Sequence, residues 1–166
     1  PPSDISWHFA PELLGGGSVL DVSCHQIDVL NYWFGNITDV QGRATNVMGL
    51  YSSADTMNAS FTFESGVIGS GMWNFTAGVH HEETTIVGTK GQITFSMFRP
   101  APIKLITEDG EQSIDFAYPE HVHQPLIETI VGELNGKGQC PSTGVSGSHT
   151  SWVLDQLFAD FRAGLD

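Results

Sequence analysis

Seven short strand-like segments follow one another with only brief turns between them, and this succession constrains the fold more than any other feature. The second segment alternates Ala59, Phe61 and Phe63 with polar residues. The third does the same with Trp73 and Phe75, which is the period of a sheet with one buried face. Because strands joined by short turns pair antiparallel, we predict an open, mostly antiparallel (mixed) β-sheet. The segments are Thr38–Met48, Met57–Glu64, Val67–Ala77, Glu82–Gly88, Gln92–Met97, Ile103–Thr107 and Gln112–Phe116.

Helical periodicity appears once before these strands and twice after them. The first helix is predicted over residues 18–34, with Gly35 well placed to end it. The second has Pro125 in its opening turn and Gly136 as its stop. The two later apolar stripes are Leu126, Ile127, Ile130, Val131 and Leu134, then Val153, Leu154, Leu157, Phe158 and Phe161. The fold class predicted for residues 1–166 is therefore α+β, with helices packed on one face of the sheet.

The composition fits one folded domain and excludes several kinds of partner. The chain has 166 residues, 40% of them hydrophobic, which is enough for a core. Its formal net charge of −13 argues against nucleic acid and anionic membrane surfaces, because phosphates attract Lys and Arg. No apolar run has the length of a transmembrane helix, and Cys24 and Cys140 are too few for a disulfide scaffold. We expect no nucleic-acid partner and no membrane partner.

One face of the first predicted helix carries a histidine between two carboxylates. Asp21, His25 and Asp28 stand at i, i+4 and i+7, soon after three consecutive glycines. Imidazole titrates near neutral pH, so a histidine held between carboxylates suits proton transfer. The alternative is a solvated helix face, but this helix has none of the Lys, Glu or Arg residues that such faces usually carry.

The histidines do not form a recognisable metal motif. His121 and His123, and the pair His80 and His81, are found with neither Cys-x-x-Cys nor His-Glu-x-x-His spacing. Solvated histidines are ordinary in a Pro-flanked loop such as the one before the second predicted helix. We therefore predict no metal site, and a metal-dependent all-β enzyme is the third and least favoured hypothesis.

The first helix and several other parts resemble a known family, that of glucose–fructose oxidoreductase and inositol dehydrogenase. More narrowly, they are similar to its C-terminal, substrate-binding domain, and the resemblance covers nearly the whole chain. The Asp-x-x-x-His element is the specific part. The matching parts, in chain order, are Trp7 to Glu12, the glycines 15–17, Asp21, His25, Asp28, Gly35, the turn Gly88-Thr89-Lys90-Gly91 and the segment Pro141-Ser142-Thr143-Gly144.

The resemblance implies that this chain is half of a two-domain enzyme. Family members bind NAD or NADP in an N-terminal Rossmann domain. This sequence contains neither a strand followed by G-x-G-x-x-G nor a P-loop, and the family's Glu-Lys-Pro motif with its catalytic lysine has no match. We therefore expect residues 1–166 to be a C-terminal substrate-binding and oligomerisation domain that binds no cofactor by itself.

The same resemblance implies oxidation of a secondary alcohol of a sugar, inositol or diol. His25 is the implied general base, Asp21 its partner, and Asp28 a ligand of another substrate hydroxyl. The further candidates for the substrate pocket are Gly17, Trp7, His8 and His80.

Each of these further candidates has a plainer alternative. Gly17 suits either close approach of a ligand to the helix start or a tight turn. Trp7 is equally suited to flank the core, and His80 to lie in an exposed turn. A non-catalytic sugar-binding or dimerisation module on the same scaffold is the second hypothesis.

The residues on the polar face of the expected sheet indicate that the protein self-associates. It carries Ser60, Thr62, Asn74 and Thr76, which are polar but uncharged, whereas a solvated face usually carries Lys and Glu. Family members are often oligomers built through this sheet, so we expect a homodimer or tetramer. The other expected partners are a small polyol or sugar and the protein's own Rossmann domain. The compartment is unknown, with the cytoplasm favoured.

Overall fold

The computed structural model describes residues 17–164. In this part of the chain there are three helices and seven strands, and every strand pair is antiparallel, which confirms the α+β prediction. The described residues divide into unit 1, residues 17–78 and 141–164, and unit 2, Val79–Cys140. The elements are α1 (Gly17–Phe34), β1 (Ile37–Thr45), β2 (Thr56–Phe63), β3 (Ile68–Asn74), β4 (Thr84–Gly88), β5 (Gly91–Phe95), β6 (Ile103–Thr107), β7 (Gly110–Ile114), α2 (Gln124–Leu134) and α3 (Gly144–Ala163).

Unit 1 is a three-stranded sheet, ordered β1-β2-β3, with its core on one face. Ala59, Phe61 and Phe63 of the central strand are all buried, as their alternation predicts. Across the sheet, Trp73 of β3 lies opposite Met57 of β2, and both are buried. The period of two in β2 therefore decides which face of this sheet is covered.

Helices α1 and α3 supply the other side of this core. α1 buries Val19 and Ile27, and α3 buries Leu157 and Phe158, in one cluster with the sheet residues. Burying each such side chain contributes roughly 1.5–3 kcal/mol relative to leaving it in water. In unit 1, the prediction of helices packed on one sheet face is confirmed.

Strand β1 is shorter than its sequence pattern predicts. It ends at Thr45 rather than at Met48. The amides of Val47 and Met48 donate to the two oxygens of the Asp55 carboxylate, at 2.8 and 2.9 Å, instead of to a neighbouring strand. A side chain from beyond the strand therefore decides where the ladder stops.

Strand β3 is also shorter, and its end changes the place of one aromatic residue. It ends at Asn74 rather than at Ala77, because Asn74 Oδ1 accepts from the backbone nitrogen of Thr76 at 2.8 Å and turns the chain. Phe75 therefore lies beyond the strand and is 42% exposed. The prediction that it shares the buried face with Trp73 is wrong.

Unit 2 contains a four-stranded antiparallel meander in the order β4-β5-β6-β7. Gly88 pairs with Gly91, and Thr107 pairs with Gly110, so two of its three hairpins turn over two residues where the sequence predicts turns. The seven described strands thus form two sheets, of three and four strands, where one continuous sheet was expected. The turn after β3 separates them along the chain.

Helix α2 of unit 2 forms where predicted but leaves its apolar stripe uncovered. Pro125 lies in its first turn and Gly136 follows its end with a positive φ. Within the described range Gln124–Leu134 no residue is buried, and Leu134 is 81% exposed. The polar side instead holds the next turn, since Glu133 Oε2 accepts from the amide of Cys140 at 2.8 Å.

Candidate active site on the first helix

The three residues predicted for proton transfer and substrate binding lie on one side of α1. His25 is exposed, and Asp21 and Asp28 are partly exposed. They lie away from Val19 and Ile27, which are fully buried. Helix geometry alone therefore brings the three side chains to one side of unit 1, as the spacing i, i+4 and i+7 predicts. Their part in catalysis stays a prediction.

The thiol of Cys24 reveals the electrostatics of this side of the helix. It donates to the backbone oxygen of Asp21 at 3.0 Å. Burial raises the pKa of Cys24, and the negative charges of Asp21 and, more weakly, Asp28 raise it further. The negative charges of both carboxylates therefore act on the same part of α1, around Cys24. Cys24 is a protonated thiol at neutral pH and unsuited to be a nucleophile.

Side chains on both flanks of α1 fix the helix to the rest of unit 1. Gln26 accepts a hydrogen bond from the indole Nε1 of Trp73 on β3. On the other flank, the hydroxyl of Thr150 on α3 donates to Asp28 Oδ1 at 2.9 Å. A site on a helix anchored in this way holds its geometry better than a site on a loop. Asp28 therefore has a partner within the protein in addition to its predicted substrate.

Gly17 begins α1 in a conformation that only glycine adopts easily. Its φ is +64°, and a Cβ atom there would lie 2.4 Å from Ser53 Oγ and 3.2 Å from the carbonyl oxygen of Ala54. The connection between β1 and β2 therefore packs directly against the helix start. Of the two interpretations of this glycine, the tight turn has a visible structural cause, while ligand approach stays a prediction.

The loop of residues 46–55, which supplies that contact, is held by two of its own side chains. The carboxylate of Asp55 is 0% exposed and accepts from two backbone amides of the loop, as described for the end of β1. Asn46 Nδ2 donates to the carbonyl oxygen of Ser53 at 2.9 Å. Charge-assisted bonds in a buried setting give the loop a fixed shape beside the first turn of α1.

Two residues of this site were not predicted from the sequence. Tyr32 is 66% exposed and lies one turn after Asp28, on the side of α1 that carries His25. Its i+4 spacing from Asp28 was a usable signal. Thr150 bonds to Asp28 across 122 positions of sequence, and no local pattern links the two.

The other predicted pocket residues are not brought to α1 by any described contact within unit 1. Trp7 and His8 lie outside the described residues. His80 is exposed and belongs to unit 2. Their part in a substrate pocket stays a prediction.

The described residues also bear on metal binding and on membrane insertion. Among residues 17–164, no group of three His, Cys, Asp or Glu side chains is placed to hold a metal ion. None of the helices in that range combines the length and the apolar character needed to cross a membrane.

A family model agrees with this architecture. The model described as the GFO/IDH/MocA C-terminal domain matches residues 1–94, more than half of the 166-residue chain. The chain belongs to the GFO/IDH/MocA family. The matched region contains α1 and all three strands of the unit 1 sheet.

This GFO/IDH/MocA chain is also similar to individual proteins. An oxidoreductase from Formosa agariphila is 30% identical over 153 residues, which covers 92% of this chain and 47% of that protein. The 1,5-anhydro-D-fructose reductase of Ensifer adhaerens is 24% identical over 156 residues, covering 89% of this chain and 46% of that protein. The chain thus spans about half the length of the curated relatives it matches.

A solved structure supports the fold in particular. A levoglucosan dehydrogenase in complex with NADH superimposes on this chain with a TM-score of 0.81 and 19% identity. The match covers 98% of this chain and 53% of that one. At this identity the likeness shows the fold alone.

Proposed function

We propose that the protein containing this chain is an NAD(P)-dependent oxidoreductase that oxidises a secondary alcohol of a sugar, inositol or diol. The observation that carries the proposal is the pair Asp21 and His25 on the outward side of α1, in a chain of the GFO/IDH/MocA family. The names of similar proteins support it, since 1,5-anhydro-D-fructose reductase and levoglucosan dehydrogenase both act on sugar-like molecules by name.

In the proposed reaction the alcohol becomes a carbonyl by losing a hydride and a proton. His25 takes the hydroxyl proton as general base, and Asp21, one turn earlier, stabilises the charge that develops on the imidazole. A nicotinamide, when bound, supplies the hydride acceptor. We expect it in the Rossmann half of the full-length protein, because this sequence contains no strand followed by the G-x-G-x-x-G turn that binds a dinucleotide.

The test of this proposal is turnover by the full-length protein. We expect it to oxidise polyols with NAD or NADP, and His25→Ala to lower kcat by about 10²- to 10⁴-fold, the usual contribution of a general base. The Kd of the cofactor should barely change. His121→Ala, an exposed histidine of unit 2, is the matched control and should keep full turnover. Unchanged kcat in His25→Ala would refute the base assignment.

The alternative is a non-catalytic sugar-binding or dimerisation module. It predicts that the full-length protein binds sugar without consuming NAD(P). Calorimetry on residues 1–166 supplies a second test, since we expect no NAD(P)H binding up to about millimolar, where ΔG is only about −4 kcal/mol. Saturable binding of NAD(P)H by residues 1–166 at micromolar concentration would contradict the expectation that the cofactor binds only in the Rossmann half.

We also propose that the protein forms a homodimer or tetramer through the outer face of the unit 1 sheet. On β3, Ile68 is 80% and Met72 is 70% exposed, and both neighbour uncharged positions of β2 across the sheet. Large apolar residues exposed on a sheet face are typical of interfaces. The charged residues of this face, Asp39 and Arg43, lie on β1, opposite Thr62 and Asn58. We expect Met72→Lys to shift the sedimentation of the full-length protein towards monomer, while Val87→Lys in unit 2 leaves it unchanged. A wild-type monomer at high concentration would exclude the interface.

A further inference from the structure

A chain of three hydrogen bonds joins α1, β1 and α3 and ends on the Asp28 carboxylate. The amide of Ile37 donates to Asn31 Oδ1 at 3.0 Å. Asn31 Nδ2 donates to Thr150 Oγ1 at 3.4 Å, and Thr150 donates to Asp28 Oδ1 at 2.9 Å. Asn31 and Thr150 are buried, at 9% and 5% exposure, whereas Asp28 is partly exposed. These three hydrogen bonds therefore lead from the interior of unit 1 to the outward side of α1.

The chemistry of the groups determines which atom donates and which accepts in each of these three hydrogen bonds. A backbone N–H can only donate, so the group of Asn31 that faces Ile37 must be its oxygen. The amide nitrogen then faces Thr150 and donates to the hydroxyl oxygen. The hydroxyl proton is left for Asp28, which can only accept at that oxygen. Each hydrogen bond thus polarises the next, and the last one ends on the carboxylate of Asp28, which is a strong acceptor.

The hydrogen bond from Thr150 occupies Oδ1 of the Asp28 carboxylate and leaves Oδ2 able to accept a hydrogen bond from a ligand. A carboxylate has two oxygens, each able to accept more than one hydrogen bond. With Oδ1 held by a buried hydroxyl, rotation of the side chain is restricted. Oδ2 keeps its capacity for a second donor on the partly exposed side of the residue.

The position of Asp28 along α1 relates it to the proposed base. It follows His25 by three residues, which advances about 4.5 Å along a helix axis and returns to nearly the same side. The charges of Asp21 and Asp28 both act on the thiol of Cys24, so the two carboxylates flank one region of the surface. A ligand with neighbouring hydroxyls fits this spacing better than a ligand with one.

We propose that Thr150 is a positioning residue for substrate specificity: it holds Asp28 so that the second carboxylate oxygen accepts a hydroxyl adjacent to the one that His25 deprotonates. The proposal rests on the proposed function of this helix. Thr150 acts through Asp28 and does not touch the substrate. The ligand class is a polyol with adjacent hydroxyls, and a monohydric alcohol cannot make the second contact.

The test uses the full-length protein with the polyol that the wild type oxidises best, and with propan-2-ol as a one-hydroxyl probe. Thr150→Val keeps the shape of the side chain and removes the donor. We expect KM for the polyol to rise about 10- to 100-fold, as for a lost bond to a charged group, with kcat changed less than about threefold. Thr150→Ser should restore KM, and kcat/KM for propan-2-ol should be the same in all three proteins.

A matched control and a double-mutant cycle separate this role from a merely structural one. Thr129→Val removes a hydroxyl of unit 2 that donates to the carbonyl oxygen of Leu126 at 2.7 Å, and it should leave KM unchanged. Asp28→Asn should raise KM as Thr150→Val does, and the double variant should add less than about twofold. If Thr150→Val does not fold, Thr150→Ala takes its place in the same assays.

Three outcomes overturn the proposal in distinguishable ways. An unchanged KM in Thr150→Val, together with a lowered melting temperature, shows that the hydrogen-bond chain only joins the helices, and the proposed oxidoreductase function stands. Failure of the wild type to oxidise any polyol, while cofactor binds, refutes the proposed function itself and the positioning role with it. Equal losses for polyol and propan-2-ol also overturn the specificity role.

Discussion

Units 1 and 2 are both built from amphipathic elements, yet they differ in how much of the apolar side is buried. In unit 1, Phe61 and Phe158 are 3% and 0% exposed. In unit 2, Val87 and Ile106 on the strands are 74% and 42% exposed, and within the described helix α2 no residue is buried. A hydrophobic period therefore indicates which side of an element is available for packing, whereas burial of that side requires a second layer of structure.

The second layer of unit 1 consists of α1 and α3, and aromatic contacts connect it to the sheet. The rings of Phe34 on α1 and Phe63 on β2 have centroids 5.5 Å apart in an edge-to-face arrangement. Within the sheet, Phe61 and Trp73 are 6.4 Å apart. Unit 2 is held instead by hairpin ladders and by bonds in its turns. The free energy of unfolding of unit 1 should therefore depend on its core, and that of unit 2 much less.

The largest difference between the units should appear when a buried and an exposed apolar side chain are each truncated. We expect Phe158→Ala in unit 1 to lower the free energy of unfolding by about 3–5 kcal/mol, through lost burial and the cavity left behind. Leu134→Ala on α2 of unit 2 should change it by less than about 0.5 kcal/mol. Urea denaturation followed by circular dichroism gives both values. Similar losses for the two variants would show that the stripe of α2 is covered in solution.

A second comparison concerns two carboxylates that each accept backbone amides. Asp55 of unit 1 is 0% exposed, whereas Glu82 of unit 2 is partly exposed and accepts from the amide of Met97 at 3.0 Å. Asp55→Ala removes a fully buried acceptor and leaves the amides of Val47 and Met48 without it, and we expect a loss of about 3 kcal/mol. Glu82→Ala should cost about 1 kcal/mol, because water reaches its site. The same urea titrations measure both, and equal costs would contradict the difference in burial.

A third comparison uses two glycines with almost the same positive φ. Gly17 of unit 1 has φ +64° and Ser53 Oγ 2.4 Å from a Cβ position, whereas Gly136 of unit 2 has φ +70° and nothing within 4 Å. Replacement by alanine should cost about 1 kcal/mol at Gly136 from backbone strain alone. At Gly17 we expect about 2–3 kcal/mol, because the methyl group also displaces the loop. Equal shifts in thermal unfolding would mean that the loop yields without cost.

The smallest expected effect is electrostatic and concerns the thiol of Cys24 in unit 1. Because burial and the charge of Asp21 raise its pKa, the midpoint of its reaction with a disulfide reagent should lie above that of free cysteine. A negative charge disfavours the thiolate, so Asp21→Asn should lower the midpoint. We expect this in a Cys140→Ser background, which leaves the unit 1 thiol as the reporter. Asp39→Asn on β1 is the control, and an upward shift in Asp21→Asn would contradict the assignment.

The parts of the fold that short-range patterns predict are those whose cause is also short-range. The two-residue turns of the β4-β5 and β6-β7 hairpins, the start of α2 near Pro125 and the outward placement of His25 on α1 all follow from residues within one or two turns. The ends of β1 and β3 do not, because the side chains of Asp55 and Asn74 replace ladder bonds in ways that alternation cannot show. The exposure of Phe75 follows from the same cause.

Local sequence patterns predict the helices and strands of the described residues, the buried face of β2 and the side of α1 that carries Asp21 and His25. These depend on periodicity, and periodicity is a property of neighbouring residues. Tertiary packing alone explains why Thr150 binds Asp28, why Ser53 packs on Gly17 and why the described strands form two sheets. Such contacts join positions that are far apart in the chain. Their geometry exists only once helices and strands have packed.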